Sequence, residues 1–137
     1  EIIVIKINVS KQSNYPVSST NIKKALRELF IKQGIVSDAE VSVAIVGEKK
    51  MLEVGRKYLK DLPSRAGKVL HNVLSFTPDE AIEKFIYPDD KLVHLGEIVV
   101  CYPKAVEEAK REDKLIEEKV RELVEHGAMH LLGFHHT

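Results

Sequence analysis

The sequence contains few of the residues that mark disulfide-bonded or non-globular proteins. Only one of its 137 residues is a cysteine, Cys101, so no intramolecular disulfide can form and a reducing compartment is favoured. Its 7 glycines and 5 prolines are too few for a collagen-like or low-complexity chain. We therefore expect one folded domain spanning residues 1–137, located in the cytoplasm.

Neither an excess of one charge nor a long apolar run is present. The 21 Lys and Arg residues balance 21 Asp and Glu residues, which excludes binding to nucleic acid or membranes through net charge alone. No apolar run approaches the roughly 18 residues that a membrane span requires. Residues 2–5 are apolar but lack the basic leader of a signal peptide. We expect no membrane association.

Hydrophobic periodicity predicts strands interleaved with helices. Strands are predicted where apolar residues alternate or run together, at 3–9, 39–45, 69–76 and 98–101. Helices are predicted where apolar residues recur every three or four positions, at 22–30, 51–59, 103–111 and 116–131. Residues 77–90 are expected to be mostly loop. This order predicts an α+β fold, a single small mixed sheet of about four strands packed with helices.

Histidines clustered at the end of the chain give the strongest functional signal. Four of the six lie in the last twelve residues. His126 and His130 are one turn apart on the last predicted helix, so both can bind one metal ion. Gly133 would end the helix and turn the chain back, bringing His136 in as a third ligand. Three imidazoles with a fourth position for water are typical of catalytic zinc, so we expect one zinc ion per chain.

The spacing H-x-x-x-H-x-x-G-x-x-H is also that of the metzincin peptidases. Those enzymes use a glutamate directly after the first histidine as general base. Here Gly127 occupies that position, and Glu125 projects about 100° away around the helix from His126. The sequence therefore predicts a metal-dependent hydrolase without the base of those peptidases.

Residues 126–136, HGAMHLLGFHH, resemble the signature H-G-x-x-H-L-x-G-[YF]-D-H of the YbeY family. Residues 72–76 and 96–101 are similar to that family's D-V-L-S-F and G-D-I-V-I-C stretches. The family consists of metal-dependent endoribonucleases that cut single-stranded RNA during ribosomal RNA maturation. The resemblance implies zinc held by His126, His130 and His136, a role in ribosome quality control in association with the ribosome, and no specificity for DNA.

This sequence departs from the family pattern at two places near the expected site. His135 stands where the family usually has an aspartate beside the third ligand. The family's N-R-x-Y-R segment is Gly-Arg-Lys-Tyr-Leu here, in which Arg56 matches the first arginine and Leu59 replaces the second. Lys60 is then the nearest cation to the missing arginine.

Basic residues are concentrated between positions 49 and 68. They are Lys49, Lys50, Arg56, Lys57, Lys60, Arg65 and Lys68, against Glu53 and Asp61 alone. Such an excess of positive charge can bind the phosphates along an RNA strand. The alternative is that these residues only form a solvated helix face without a binding role. We predict Arg56 as a catalytic residue that offsets transition-state charge, and Lys57 and Lys60 as substrate-binding residues. Tyr58 and Phe76 are the candidates for base stacking.

Three functions remain open at this point. The first is a zinc-dependent endoribonuclease that cuts single-stranded RNA. The second is a metal-dependent hydrolase of another substrate, including an atypical peptidase without the usual glutamate. The third is a ribosome-assembly binding factor whose metal holds the carboxy-terminal turn in place. No general base is evident from the sequence.

Overall fold

The computed structural model describes residues 2–59, 68–80 and 91–133. Its elements in chain order are β1 (Ile5–Lys11), α1 (Ser19–Lys32), β2 (Ala39–Val46), α2 (Glu48–Tyr58), β3 (Val73–Phe76), β4 (Val93–Cys101), α3 (Tyr102–Arg111) and α4 (Ile116–Leu131). Within these ranges no helix has the length and apolarity to cross a membrane. The predicted α+β fold class is confirmed. Lys60, Arg65, His135, His136 and residues 81–90 of the loop predicted at 77–90 lie outside the described residues.

The four strands form one mixed sheet in the order β1-β2-β4-β3. β1, β2 and β4 run parallel, and β3 pairs antiparallel with β4. The parallel pairs require crossover connections, which α1 and the segment containing α2 and β3 supply. β3, with only four residues, is therefore an edge strand that lies beside the buried central strand β4.

Helices cover the two faces of the sheet unequally. On one face, buried residues of α1 and α4 form the main core with alternate strand residues, among them Leu26, Phe30, Val41, Ile98, Val120 and Val124. On the other face, Met51 of α2 packs with Val46, Val99 and the buried Cys101. Thus α1 and α4 lie on one side, the shorter α2 lies on the other, and Cys101 is a core residue as predicted.

Three strands begin at different residues from those predicted, because hydrogen bonding to the neighbouring strand sets where each begins. β3 begins at Val73 instead of residue 69, because its partner β4 ends at Cys101 and the N–H of Cys101 donates to Asn72 O. β4 begins at Val93 instead of residue 98, since four of the residues 93–97 pair with the start of β2, although Val93 and Glu97 are exposed. β1 begins at Ile5, which pairs with the first residue of β2.

Candidate active site

Gly127 lets α4 approach the sheet closely. A Cβ built at this position would lie 2.8 Å from Cγ2 of Ile98 on β4, closer than real Cβ contacts come. A side chain at position 127 would therefore point into the sheet and clash there. This contact gives a packing reason for glycine where the metzincins have their glutamate, and it agrees with the predicted absence of a peptidase base.

His126 and His130 line a cavity of about 540 Å³ that lies across the β3 edge of the sheet. Its other walls are Glu80, the end of α2 at Tyr58 and Leu59, and all four residues of β3. Since α4 and α2 lie on opposite faces of the sheet, the cavity extends from α4 around the edge strand to the end of α2. His126 is exposed and His130 is half-buried, so both imidazoles are accessible to a ligand in the cavity.

Glu80 brings a carboxylate to this cavity that the sequence analysis did not identify. Its Oε1 lies 3.4 Å from Nε2 of His130 and accepts a hydrogen bond from the backbone N–H of Thr77 at 2.8 Å. The N–H of Glu80 donates in turn to Thr77 O at 3.0 Å. The side chain of Glu80 thus makes one half of a capping box, in which a glutamate accepts from the backbone N–H of a threonine three residues earlier, and the backbone bond closes a turn. The T-x-x-E spacing was the available signal in the sequence.

The pKa of the Glu80 carboxyl is lower than its ordinary value despite partial burial. Burial raises the pKa, but the hydrogen bonds from Thr77 and the nearby imidazole of His130 lower it by more. The carboxylate is therefore held in its charged form beside His130. A charged carboxylate next to an imidazole is common around metal sites, where it orients the ring and raises its basicity.

The donors at this cavity fit a zinc ion. Two imidazoles one helical turn apart and a carboxylate are ligand types that zinc prefers. Over residues 2–59, 68–80 and 91–133, no three His, Cys, Asp or Glu side chains are arranged to hold a metal ion. His126 and His130 thus line the same cavity, and the zinc site that they would form with His136 stays a prediction.

The predicted substrate residues Arg56 and Lys57 do not line this cavity, although Tyr58 and Leu59, which follow them in the sequence, do. Arg56 and Lys57 are both exposed on the last turn of the helix, and Arg56 is not part of the described cavity lining. Nζ of Lys57 lies 5.5 Å from the ring centroid of Tyr58, a cation–π distance. The catalytic role of Arg56 and the substrate-binding roles of Lys57 and Lys60 stay predictions.

The aromatic pair at the cavity corrects one expectation. Phe76 was a candidate for stacking on a base, but only 7% of it is exposed. Tyr58 covers it, with ring centroids 4.6 Å apart and planes inclined by 33°. Burial of Phe76 in β3 thus leaves Tyr58, which is half-buried, as the ring that a base can reach.

Comparison with known proteins gives a consistent result. The family model described as "Endoribonuclease YbeY" matches residues 6–137. An "Endoribonuclease YbeY" from Acinetobacter baumannii is 29% identical over 96% of this chain and 82% of its own length. One from Dehalococcoides mccartyi is 27% identical over 88% of this chain and 70% of its own length. The solution structure of TM1509 from Thermotoga maritima is similar with a TM-score of 0.57 and 25% identity, over 96% of this chain and 75% of that one.

Proposed function

Because the chain belongs to the YbeY endoribonuclease family, we propose that it is a zinc-dependent hydrolase that cleaves single-stranded RNA. The observation that carries the proposal is the pair His126 and His130, one turn apart on α4 and facing the same cavity as Glu80 and Tyr58. The cavity thus combines metal donors, a charged carboxylate and an aromatic ring at one solvent-accessible edge.

Each residue has a distinct task in this proposal. His126, His130 and His136 hold zinc, which when bound supplies the Lewis acidity that activates water and polarises a phosphoryl oxygen. Glu80 accepts a hydrogen bond from the His130 ring and fixes its orientation. The guanidinium of Arg56 offsets the negative charge that develops on the phosphate in the transition state.

Lys57 and Lys60 bind phosphates on either side of the cleaved bond. Lys57 is on the same exposed turn of α2 as Arg56, so this turn carries two cations next to Tyr58, which lines the cavity. Single strands suit this site because unpaired bases can turn away from the backbone and stack on a ring such as Tyr58. A duplex keeps its bases stacked and cannot do so.

The proposal extends to the biological role. We propose that the substrate is ribosomal RNA, that the protein acts in the cytoplasm in association with the ribosome during rRNA maturation and ribosome quality control, and that DNA is not a preferred substrate. Family membership favours RNA cleavage over the peptidase and binding-factor alternatives. The packing of Gly127 against Ile98 also disfavours a peptidase.

The test combines metal analysis with a substrate panel. Zinc is measured in protein purified without added metal, and the protein is then incubated with labelled single-stranded RNA, duplex RNA, single-stranded DNA and casein. We expect cleavage of single-stranded RNA alone, its loss with a chelator and its return with zinc. His130→Ala, purified in parallel, controls for contaminating nucleases. RNA cleavage that survives both the chelator and this variant would overturn the proposal.

A further inference from the structure

A second cavity lies directly beside the first, between α2 and the sheet. Its volume is about 400 Å³, within the range of roughly 300–1,000 Å³ that small-molecule sites occupy. Its walls are largely apolar and include Ala44, Val46, Val54 and Val99. Tyr58 and Phe76 line both cavities, so this aromatic pair is the partition between them.

Glu97 stands at the edge of this aromatic pair. It is the partner of Phe76 in the antiparallel pairing of β3 with β4, and side chains of directly paired residues lie next to each other on one face. Glu97 is exposed, lines the second cavity and has no hydrogen bond or ion pair with the described part of the chain. Its carboxylate is therefore available to a ligand that enters between α2 and the sheet.

The backbone holds Glu97 close to the aromatic pair. Gly96 has a φ of 132°, a conformation that other residues rarely adopt, and a Cβ there would lie 2.1 Å from Phe76 O. Glycine at 96 thus permits the close crossing of β4 and β3 that sets Glu97 opposite Phe76. The position of the carboxylate relative to the ring is a property of the sheet, not of a flexible loop.

The charges around the cavity favour a base over a phosphate. An RNA phosphate would be repelled by the carboxylate of Glu97, whereas the N–H groups on the edge of a base can donate to it. From α2, Glu53 lines the same cavity between Lys50 and Lys57, which are two helical turns apart. The two lysines suit the flanking phosphates, and the carboxylate of Glu53 adds to the repulsion of a phosphate inside the cavity. The ring of Tyr58 offers a stacking surface between these two kinds of contact.

We propose that this cavity binds one unstacked base of the RNA and that Glu97 selects guanine. The proposal rests on the proposed function, because the aromatic partition joins this cavity to the histidine site. Guanine presents two adjacent donors, N1–H and the N2 amino group, which match the two oxygens of a carboxylate in a bidentate contact. Adenine, cytosine and uracil each present one donor group on that edge beside an acceptor, which Glu97 would repel.

Binding is measured on oligonucleotides that cannot be cut by their own 2′-hydroxyl, and a gel after each titration verifies that activated water has not cleaved them either. Fluorescence anisotropy is measured for 2′-O-methyl oligonucleotides that differ only in one base, guanine or adenine, in a pyrimidine background. The zinc-loaded protein is expected to bind the guanine oligonucleotide about 10-fold more tightly, the size of effect that one bidentate base contact gives. Glu97→Gln, which keeps the side-chain size, is expected to reduce this preference to within 2-fold.

Glu28→Gln is the matched control, because Glu28 is an exposed carboxylate on α1, on the opposite face of the sheet. It removes the same charge and is expected to keep the full preference for guanine. Tyr58→Leu is expected to weaken binding of both oligonucleotides about equally, because stacking does not depend on the base. Circular dichroism and zinc content of each variant verify that fold and metal are retained.

Cleavage products of a long single-stranded RNA distinguish the two proposals. Cuts by the parent protein are expected at a fixed distance from guanines, and cuts by Glu97→Gln without that bias. Equal binding of guanine and adenine by the parent, or a preference that survives Glu97→Gln, would overturn the guanine subsite and leave RNA cleavage intact. No cleavage by the zinc-loaded parent would instead overturn the proposed function, whatever the oligonucleotides show.

Discussion

Oε1 of Glu80 lies 3.4 Å from Nε2 of His130, although the two residues are 50 positions apart in the sequence. The carboxylate is fixed at this distance by its hydrogen bond from the backbone of Thr77. An imidazole with one nitrogen directed at a fixed carboxylate has a defined orientation before any metal arrives. Among the residues that are not predicted zinc ligands, we therefore expect Glu80 to have the largest effect on zinc affinity.

We predict that Glu80→Gln weakens zinc binding by about 10- to 100-fold, the usual effect of losing a carboxylate beside a metal-binding histidine. Competition with a chromophoric chelator measures the affinity. Asp79→Asn is the control, since Asp79 is the adjacent exposed carboxylate and does not line the histidine cavity. Unchanged affinity in Glu80→Gln would show that the Glu80–His130 contact is incidental to metal binding.

The metal ligands can be assigned by alanine substitution and zinc analysis. His126→Ala, His130→Ala and His136→Ala are each expected to lose most bound zinc, while His135→Ala retains it. Cys101→Ala is expected to retain zinc as well, because Cys101 is buried against α2 and away from the histidines. If His136→Ala retains zinc and His135→Ala loses it, the third ligand is His135 and not His136. Since only neutral imidazole binds metal, zinc should also dissociate on acidification.

Arg56→Ala is expected to keep the fold and the zinc but to lower the rate of RNA cleavage by one or more orders of magnitude. Arg56→Lys should recover only part of the rate, because an ammonium cannot contact phosphate through two parallel hydrogen bonds. Lys60→Ala is the paired variant. If Arg56→Ala cleaves RNA at the parent rate and Lys60→Ala does not, the phosphate contact belongs to Lys60. If both variants cleave at the parent rate, the substrate does not bind at this end of α2.

Gly127→Ala is expected to destabilise the protein even though alanine is the better helix former. The new methyl would lie 2.8 Å from Ile98, and overpacking of this kind costs roughly 1–3 kcal/mol, against about 1 kcal/mol gained in helix propensity. Urea unfolding measures the change. In the double variant with Ile98→Ala, the two losses should be less than additive, because the second substitution makes room for the methyl. Strictly additive losses would contradict the steric cause.

Lys119 is a buried cation, 5% exposed. We expect its substitution to lower the free energy of unfolding most at neutral pH. Its Nζ lies 3.0 Å from Glu112 and 3.2 Å from Glu122. Lys119→Met leaves the buried Glu108 carboxylate without its cation and should cost roughly 2–3 kcal/mol, less than a fully buried pair because Glu112 and Glu122 are partly exposed.

The sign of the pH dependence follows from the same contacts. Lys119 lowers the pKa of Glu112, and chiefly Lys114 lowers that of Glu122, both below 4.5. Groups with lowered folded-state pKa values stabilise the protein above their ordinary pKa and lose that contribution as the pH falls through the lowered value. The stability difference between parent and Lys119→Met should thus be full at pH 7 and shrink below about pH 4.5. A difference that is constant with pH would exclude the ion pairs as its source.

The element order could be predicted because periodicity is local information. The positions of β2, α3 and α4 follow directly from apolar spacing, as does the one-turn pairing of His126 and His130. The start of β4 at Val93 could not be predicted from an apolar run, because only Leu95 of residues 93–97 is buried and the segment is held by its pairing with β2. Glu80 was missed for a similar reason, since nothing near it in sequence indicates that His130 lies opposite.

The four-residue strand β3 separates the two helices that supply the site, and it is hydrogen-bonded to a neighbouring strand on one side only. Short edge strands are among the first elements to open in native-state fluctuations, well below the free energy of global unfolding. Opening of β3 would part Tyr58 from the histidines while the core of α1, α4 and the three parallel strands stays folded. Catalytic activity should therefore decline with temperature or urea before the bulk helical signal does, and amides of residues 73–76 should exchange faster than those of β2.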